Sequence, residues 1–176
     1  QRTHKAAKHL LELINDILDL SKVEAGKIEL SLQPVTFPSI VEDLFVTVRP
    51  MAAELGSTLT LEHEGEPCSI ITDPRRVRQI LLNLLSNAIK FGHGKPIRVT
   101  VAKREDEGVT VAVIDEGGGI APADLPRVFD EFVQLQPAER PGSAAVPQQL
   151  GGTGLGLPIS KRLAALLGGT LEAESE

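Results

Sequence analysis

Asp73-Pro74-Arg75-Arg76-Val77-Arg78-Gln79-Ile80-Leu81-Leu82-Asn83-Leu84-Leu85-Ser86-Asn87-Ala88-Ile89-Lys90-Phe91 is the stretch from which the fold can be read. Asp followed by Pro marks a helix start: the carboxylate accepts from first-turn amides, and proline supplies the right φ where its missing N–H is not needed. Val77, Ile80, Leu81, Leu82, Leu84, Leu85, Ala88, Ile89 and Phe91 then make most of the circumference apolar, which predicts a largely buried helix ended by Gly92 and Gly94. Asn83, Asn87 and Lys90 interrupt that surface on one side. At about 100° per residue they fall within about 60° of one another, and Gln79 and Arg76 continue the line. A buried stripe of amides and an ammonium needs partners, since an unpaired buried amide costs about 1 to 3 kcal/mol. A solvent-facing edge accounts for the pattern equally well on periodicity alone.

Downstream, Ile97, Val99 and Val101 alternate with Arg98 and Thr100, and Val109, Val111 and Val113 alternate with Thr110 and Ala112. Two antiparallel strands joined near Glu105 to Gly108 follow, each buried on one face. Period two carries Asp115 to the face of Val109, Val111 and Val113, toward the layer between sheet and helices. The Gly117-Gly118-Gly119-Ile120 that follows lets the backbone turn tightly and approach a flat ligand, so an exocyclic amine such as that of adenine suits the carboxylate. A plain Asp-Gly turn is the simpler account of that motif in isolation. Phe129 and Phe132 flank Asp130-Glu131; docking of the following loop or core packing explains the rings, core packing being the simpler. Val133 to Leu150, rich in Gln, Pro, Ala and Ser, reads as a mobile lid. Gly151-Gly152-Thr153-Gly154-Leu155-Gly156-Leu157 then opens a helix running to Leu167, which sets free amides and the positive helix pole at one place, an anion site or else a flexible hinge. It matches neither the P-loop nor the dinucleotide fingerprint. Gly168-Gly169 stops the helix, and Thr170 to Glu174 reads as the start of a strand.

Upstream, Leu10, Leu11, Leu13, Ile14, Ile17, Leu18 and Leu20 give the helix from Lys8 to Val23 a wide apolar face that needs partners. Gly26 stops it, and Ile28, Leu30 and Leu32 alternate as a short strand before Pro34. Thr36 caps a second helix whose inner side is Phe37, Ile40, Val41, Leu44, Phe45 and Val48, kinked at Pro50 and ended by Gly56. Short strands follow around residues 58–62 and 69–72. The expected class is α+β, with helices layered on one antiparallel sheet.

Composition narrows the function. The 176 residues hold 18 Lys plus Arg against 24 Asp plus Glu, a net charge of -6 that argues against nucleic acid as a partner. A chain of this length buries roughly 70% of its unfolded surface, enough for one domain with an appendage. Cys68 is alone, so neither an internal disulfide nor a thiolate zinc site can form, which fits a cytoplasmic, reducing setting. The four His lack metal-ligand spacing, and no apolar run of about 18 residues or signal peptide is present, although a longer parent can still be membrane-anchored.

In this order and spacing the motifs resemble the catalytic and ATP-binding domain of sensor histidine kinases of two-component systems, in the GHKL superfamily shared with type II topoisomerases and mismatch-repair ATPases. Asn83 to Phe91 is similar to the N box, Asp115-Glu116-Gly117-Gly118-Gly119-Ile120 to the first glycine box, Phe129-Asp130-Glu131-Phe132 to the F box, and Gly152-Thr153-Gly154-Leu155-Gly156-Leu157 to the second glycine box. Asn15 to Lys27 resembles the second dimerisation helix and its exit, so the likeness spans essentially the whole chain. The resemblance implies a two-layer α/β sandwich of the Bergerat type, with helices on one face of a mixed, mostly antiparallel sheet, a long N-terminal helix before it, and ATP under the lid. It implies residues 1–26 as a dimerisation helix and 27–176 as a C-terminally truncated catalytic domain. Asn87 then holds Mg²⁺, Lys90 neutralises phosphate, Asp115 takes the adenine amine, and the amides around Gly154 and Gly156 hold the phosphate tail. Asn83, Gly117, Gly119, Ile120, Phe132, Gly152, Thr153 and Leu155 complete the nucleotide site, with Asn83 and Lys90 at the chemistry.

Hydrolytic relatives carry Glu at the position of Asn83; an amide takes no proton at neutral pH, which favours transfer to histidine over water. The family's phosphoacceptor H box is absent: Lys5-Ala6 follow His4 and Leu10-Leu11 follow His9. The implied chain is therefore a fragment of a longer kinase, inactive alone in autophosphorylation. It needs a histidine-bearing helix, pairs as a homodimer through its first helix, and passes phosphate to a response regulator in the full-length context. A nucleotide-binding regulatory module without kinase activity is the alternative, and an ATP-hydrolysing machine is disfavoured by Asn83.

Overall fold

The computed structural model describes residues 2–63, 69–104, 108–134 and 152–175. Its elements in chain order are α1 (Arg2–Glu24), β1 (Gln33–Thr36), α2 (Phe37–Leu55), β2 (Leu59–His63), β3 (Ser69–Thr72), α3 (Pro74–Phe91), β4 (Ile97–Lys103), β5 (Val109–Asp115), a 3-10 turn (Leu125–Arg127) and α4 (Gly156–Leu166). The chain is α+β, with helices against mixed sheets, and divides into two compact units. Leu30–Gly119 form one; of the other, residues 2–29, 120–134 and 152–175 are described.

In the first unit, β4 pairs in parallel with β2 and antiparallel with β5, the latter in the register Ile97 opposite Asp115 and Lys103 opposite Val109. α2 and α3 pack on each other, α2 also on β2 and α3 on β5. The core follows the periodicities: Ile40, Val41, Leu44, Phe45 and Val48 from α2, Val77, Ile80, Leu81, Leu85, Ala88 and Ile89 from α3, and Ile97, Val99 and Val101 from β4 are all buried. α2 runs through Pro50 and ends at Gly56, whose φ of 79° is the left-handed cap that glycine adopts without strain. Thr36 occupies the N-cap of α2 without a side-chain bond.

Three expectations change. The strand placed over Ile28 to Leu32 lies further on, at Gln33–Thr36, and includes Pro34. β1 and β3 form a separate two-stranded antiparallel ladder, in which every strand is an edge and a missing N–H is tolerated. The sheet is accordingly not one antiparallel layer: five strands are split between that ladder and the mixed three-stranded sheet among the described residues. The strand expected over Thr170 to Glu174 does not form; extended chain becomes a strand only beside an edge that completes its ladder, and no described residue pairs with it.

In the second unit α1 packs against α4, and Leu20, Val128, Leu155, Ile159, Leu163 and Ala164 are buried. Most of the segment read from the sequence as a lid, residues 135–150, lies outside the described residues.

Candidate functional site

α3 is anchored at its start. The Asp73 carboxylate, 2% exposed, accepts from the amides of Arg75 at 2.8 Å and Arg76 at 3.3 Å, and its other oxygen accepts from Ser31 N–H at 2.9 Å. Burial pushes this carboxyl up, but the bonds from Ser31, Arg76 and Arg75, with the Arg76 charge, outweigh it and hold it below its ordinary value. One side chain thus fixes the helix and the approach of the chain before β1.

The polar stripe lies between the two environments the sequence allowed. Arg76, Gln79, Asn83, Asn87 and Lys90 are all half-buried, at the border of the buried face. Arg76 Nη1 donates to Gln79 Oε1 at 2.9 Å, and Asn83 is engaged within the chain. Asn87 and Lys90 have no hydrogen-bond or ion-pair partner among the described residues. An amide oxygen and an ammonium, one helical turn apart and half-desolvated, are thereby presented to an anionic or metal-bridged ligand.

Asp115 ends β5 exposed rather than inside the layer. Its Oδ1 accepts from Gly117 N–H at 2.9 Å, the Asp-Gly turn, while Oδ2 has no partner among the described residues. Gly117 is held against the end of α3: a Cβ there would collide with the Phe91 carbonyl oxygen and stand 2.7 Å from Asp115 Oδ1. The first glycine stretch therefore places a free carboxylate oxygen in the same unit as the Asn87 and Lys90 stripe, as far as Gly119, whose φ is 71°.

Ile120, Phe132 and the second glycine stretch belong to the other unit. There Ile120 N–H donates to Ser175 Oγ at 2.8 Å. Phe132, with φ at 60°, donates its N–H to Gly154 O at 3.1 Å, and Gln134 Nε2 donates to Gly152 O at 2.6 Å. A Cβ on Gly154, whose φ is 72°, would sit 2.9 Å from Phe132 Cα, so only glycine allows this closure. The Phe132 ring is 60% exposed, which corrects core packing as its role. Phe129 is half-buried under Lys161, whose Nζ stands 4.4 Å from the ring centroid. Glu131 pairs with Arg162 at 2.6 Å, tying this segment to α4.

α4 then begins with open donors. Leu155 N–H goes to Thr153 Oγ1 at 3.1 Å, while Gly156 and Leu157, in the first turn, have no intrahelical acceptor and Pro158 has no N–H. Thr153 Oγ1 itself donates to Asp16 Oδ2 of α1 at 2.7 Å. Asp16 lies in the stretch that resembles a dimerisation helix but was not read as a site residue: its partner Thr153 is 137 positions away.

The model of histidine kinase-, DNA gyrase B- and HSP90-like ATPases matches residues 72–176. The chain belongs to this ATPase family. Among curated relatives it is 38% identical over 174 residues, 98% of its length, to the circadian input-output histidine kinase CikA of Synechococcus elongatus. It is 35% identical over 186 residues to the signal transduction histidine-protein kinase BarA of Escherichia coli. The chain spans 22% and 20% of those two proteins. A crystal structure of full-length ShkA in complex with AMPPNP superposes on 99% of the chain, with a TM-score of 0.80 and 31% identity, over 37% of that molecule. The histidine kinase AdeS of Acinetobacter baumannii shares the fold, with a TM-score of 0.77. The chain is thus homologous to the ATP-binding catalytic domains of two-component kinases.

Proposed function

We propose that this chain is the ATP-binding catalytic domain of a sensor histidine kinase, and that it transfers the γ-phosphoryl group of ATP to a histidine of a dimerisation helix. The observation that carries the reading is the half-buried pair Asn87 and Lys90, without partners among the described residues, in a chain of this ATPase family. Lys90 takes a phosphate oxygen, Asp115 Oδ2 accepts from the adenine amine, and the amides around Gly154 and Gly156 hold the phosphate tail at the positive pole of α4. Asn83, Gly117, Gly119, Ile120, Phe132, Gly152, Thr153 and Leu155 are the further residues assigned to nucleotide binding.

No group of three His, Cys, Asp or Glu that could cage a metal exists among the described residues. Asn87 instead offers a single neutral oxygen, which suits Mg²⁺ carried in by phosphates and otherwise hydrated. Bound there, the ion supplies charge neutralisation at the phosphates. Because the amide of Asn83 accepts no proton, water is left unactivated, and the phosphoryl group passes to an imidazole nitrogen as ADP leaves.

Residues 1–26 act as the second helix of a dimerisation hairpin and 27–176 as the catalytic domain. Leu10, Leu11, Ile14, Ile17 and Leu18 of α1 are between 46% and 59% exposed, an apolar face that a homodimer covers. In the full-length parent the phosphate goes on to a response regulator in the cytoplasm. No helix among the described residues is long and apolar enough to cross a membrane.

The test is phosphoryl transfer from radiolabelled ATP to an added dimerisation domain bearing the acceptor histidine. Label on that histidine, lost with Asn87→Ala, is expected. Tight ATP binding without transfer to any acceptor contradicts the kinase reading and leaves a regulatory module.

A further inference from the structure

We propose that Asp16 of α1 competes with nucleotide phosphate for the second glycine stretch, so that docking of α1 there and occupation by ATP oppose each other. The inference rests on the reading of that stretch as the phosphate site. What it adds is an internal anion already seated at the same pole.

The contact is a short relay. Asp16 Oδ2 accepts from Thr153 Oγ1 at 2.7 Å, and Thr153 Oγ1 accepts from Leu155 N–H at 3.1 Å, at the entry to α4. A threonine hydroxyl has one proton. While Asp16 holds it, a phosphate oxygen cannot, and one anion must leave for the other to bind. The carboxylate also stands one hydroxyl away from the positive end of an 11-residue helix, so it already draws on the field that would attract phosphate. The cations of α4 do not cancel it: Arg162 is paired with Glu131, and Lys161 lies over Phe129.

Competition for one proton and one helix pole gives negative coupling, and coupling is reciprocal. ATP loosens α1 from the glycine stretch, and any displacement of α1 that withdraws Asp16 raises affinity for ATP. Asp16 is therefore a positioning residue acting through Thr153. It makes the nucleotide site responsive to the helix that the proposed function assigns to dimerisation.

The experiment is calorimetric titration of the whole chain with ATP, ADP and adenosine, at low and at physiological salt, for wild type, Asp16→Asn and Asp16→Ala. Asp16→Asn keeps an acceptor of the same shape and removes the charge; Asp16→Ala removes both. ATP and ADP are expected to bind both variants about two- to ten-fold more tightly than wild type, with the gain shrinking as salt rises. Adenosine, which carries no phosphate, is expected to bind all three chains equally, a split that a merely structural role of Asp16 would not produce. Unchanged or weaker ATP binding in both variants, with wild-type binding intact, overturns the competition and leaves the nucleotide site standing. Absence of ATP binding in wild type overturns the phosphate reading itself, and the competition with it.

Discussion

At the scale of single residues, the chain places charge where backbone or ligand needs it. Asp73 satisfies three amides at once, and Asp73→Ala is expected to lower stability by about 1 to 3 kcal/mol in denaturant unfolding. Its carboxyl is held below the ordinary value, so the folded state favours the ionised form. The resulting stability is complete above the unfolded pKa of about 3.9 and disappears as pH falls through the lower folded value. The gap between wild type and Asp73→Asn in a series of unfolding curves should therefore be constant near neutrality and close below about pH 4. Asp115, proposed to take the adenine amine, is exposed with one oxygen committed to Gly117 and one without a partner among the described residues. Asp115→Asn should weaken adenine-nucleotide binding by about 1 to 3 kcal/mol in calorimetry, and wild-type affinity in that variant would remove Asp115 from the site. The Asp73 cap and the turn of Asp115 onto Gly117 were legible in sequence. Asp73 precedes a proline, and Asp115 precedes a glycine run. The exposure of Asp115 was not legible, because alternation tells which face a residue takes and not whether the strand end is covered.

At the scale of elements, α3 carries the core on one face and the site at its border. Leu85, 1% exposed, should cost about 2 to 5 kcal/mol on truncation to Ala, read from the unfolding midpoint, through lost burial and the cavity left in the core. Gly117→Ala should damage the site while sparing secondary structure, because the added methyl meets the Phe91 carbonyl. Nucleotide affinity reports that loss, and circular dichroism shows the retained helix. The Gly56 end of α2, the Asp73 cap of α3, the antiparallel pair β4 and β5 and the buried alternation of β4 were readable from local chemistry alone. β1 was misplaced because Pro34 reads as a strand breaker unless the two-stranded ladder is known, and that depends on β3, where Ile71 stands opposite Pro34. The strand over Thr170 to Glu174 failed for a related reason: its residues favour extension, yet a ladder is a property of two segments.

At the scale of the whole molecule, α1 carries five exposed large hydrophobics on a single helix, Leu10, Leu11, Ile14, Ile17 and Leu18. Replacing Ile14 and Ile17 with Glu should shift the chain toward monomer in sedimentation velocity without loss of helical signal. An unchanged sedimentation coefficient across a concentration series would exclude that face as the dimer surface. The four family boxes were recognisable because each is short, ordered and chemically constrained. The relay from Asp16 to Thr153 was invisible, since it joins distant segments that only folding brings together. The half-buried Asn87 and Lys90 are the residues on which the proposed nucleotide site depends most. Calorimetry of ATP and ADP binding, with and without Mg²⁺, to wild type and Asn87→Ala tests it most directly. Micromolar, Mg²⁺-dependent binding that Asn87→Ala abolishes is the predicted result, whereas a folded wild-type chain that binds no nucleotide would contradict it.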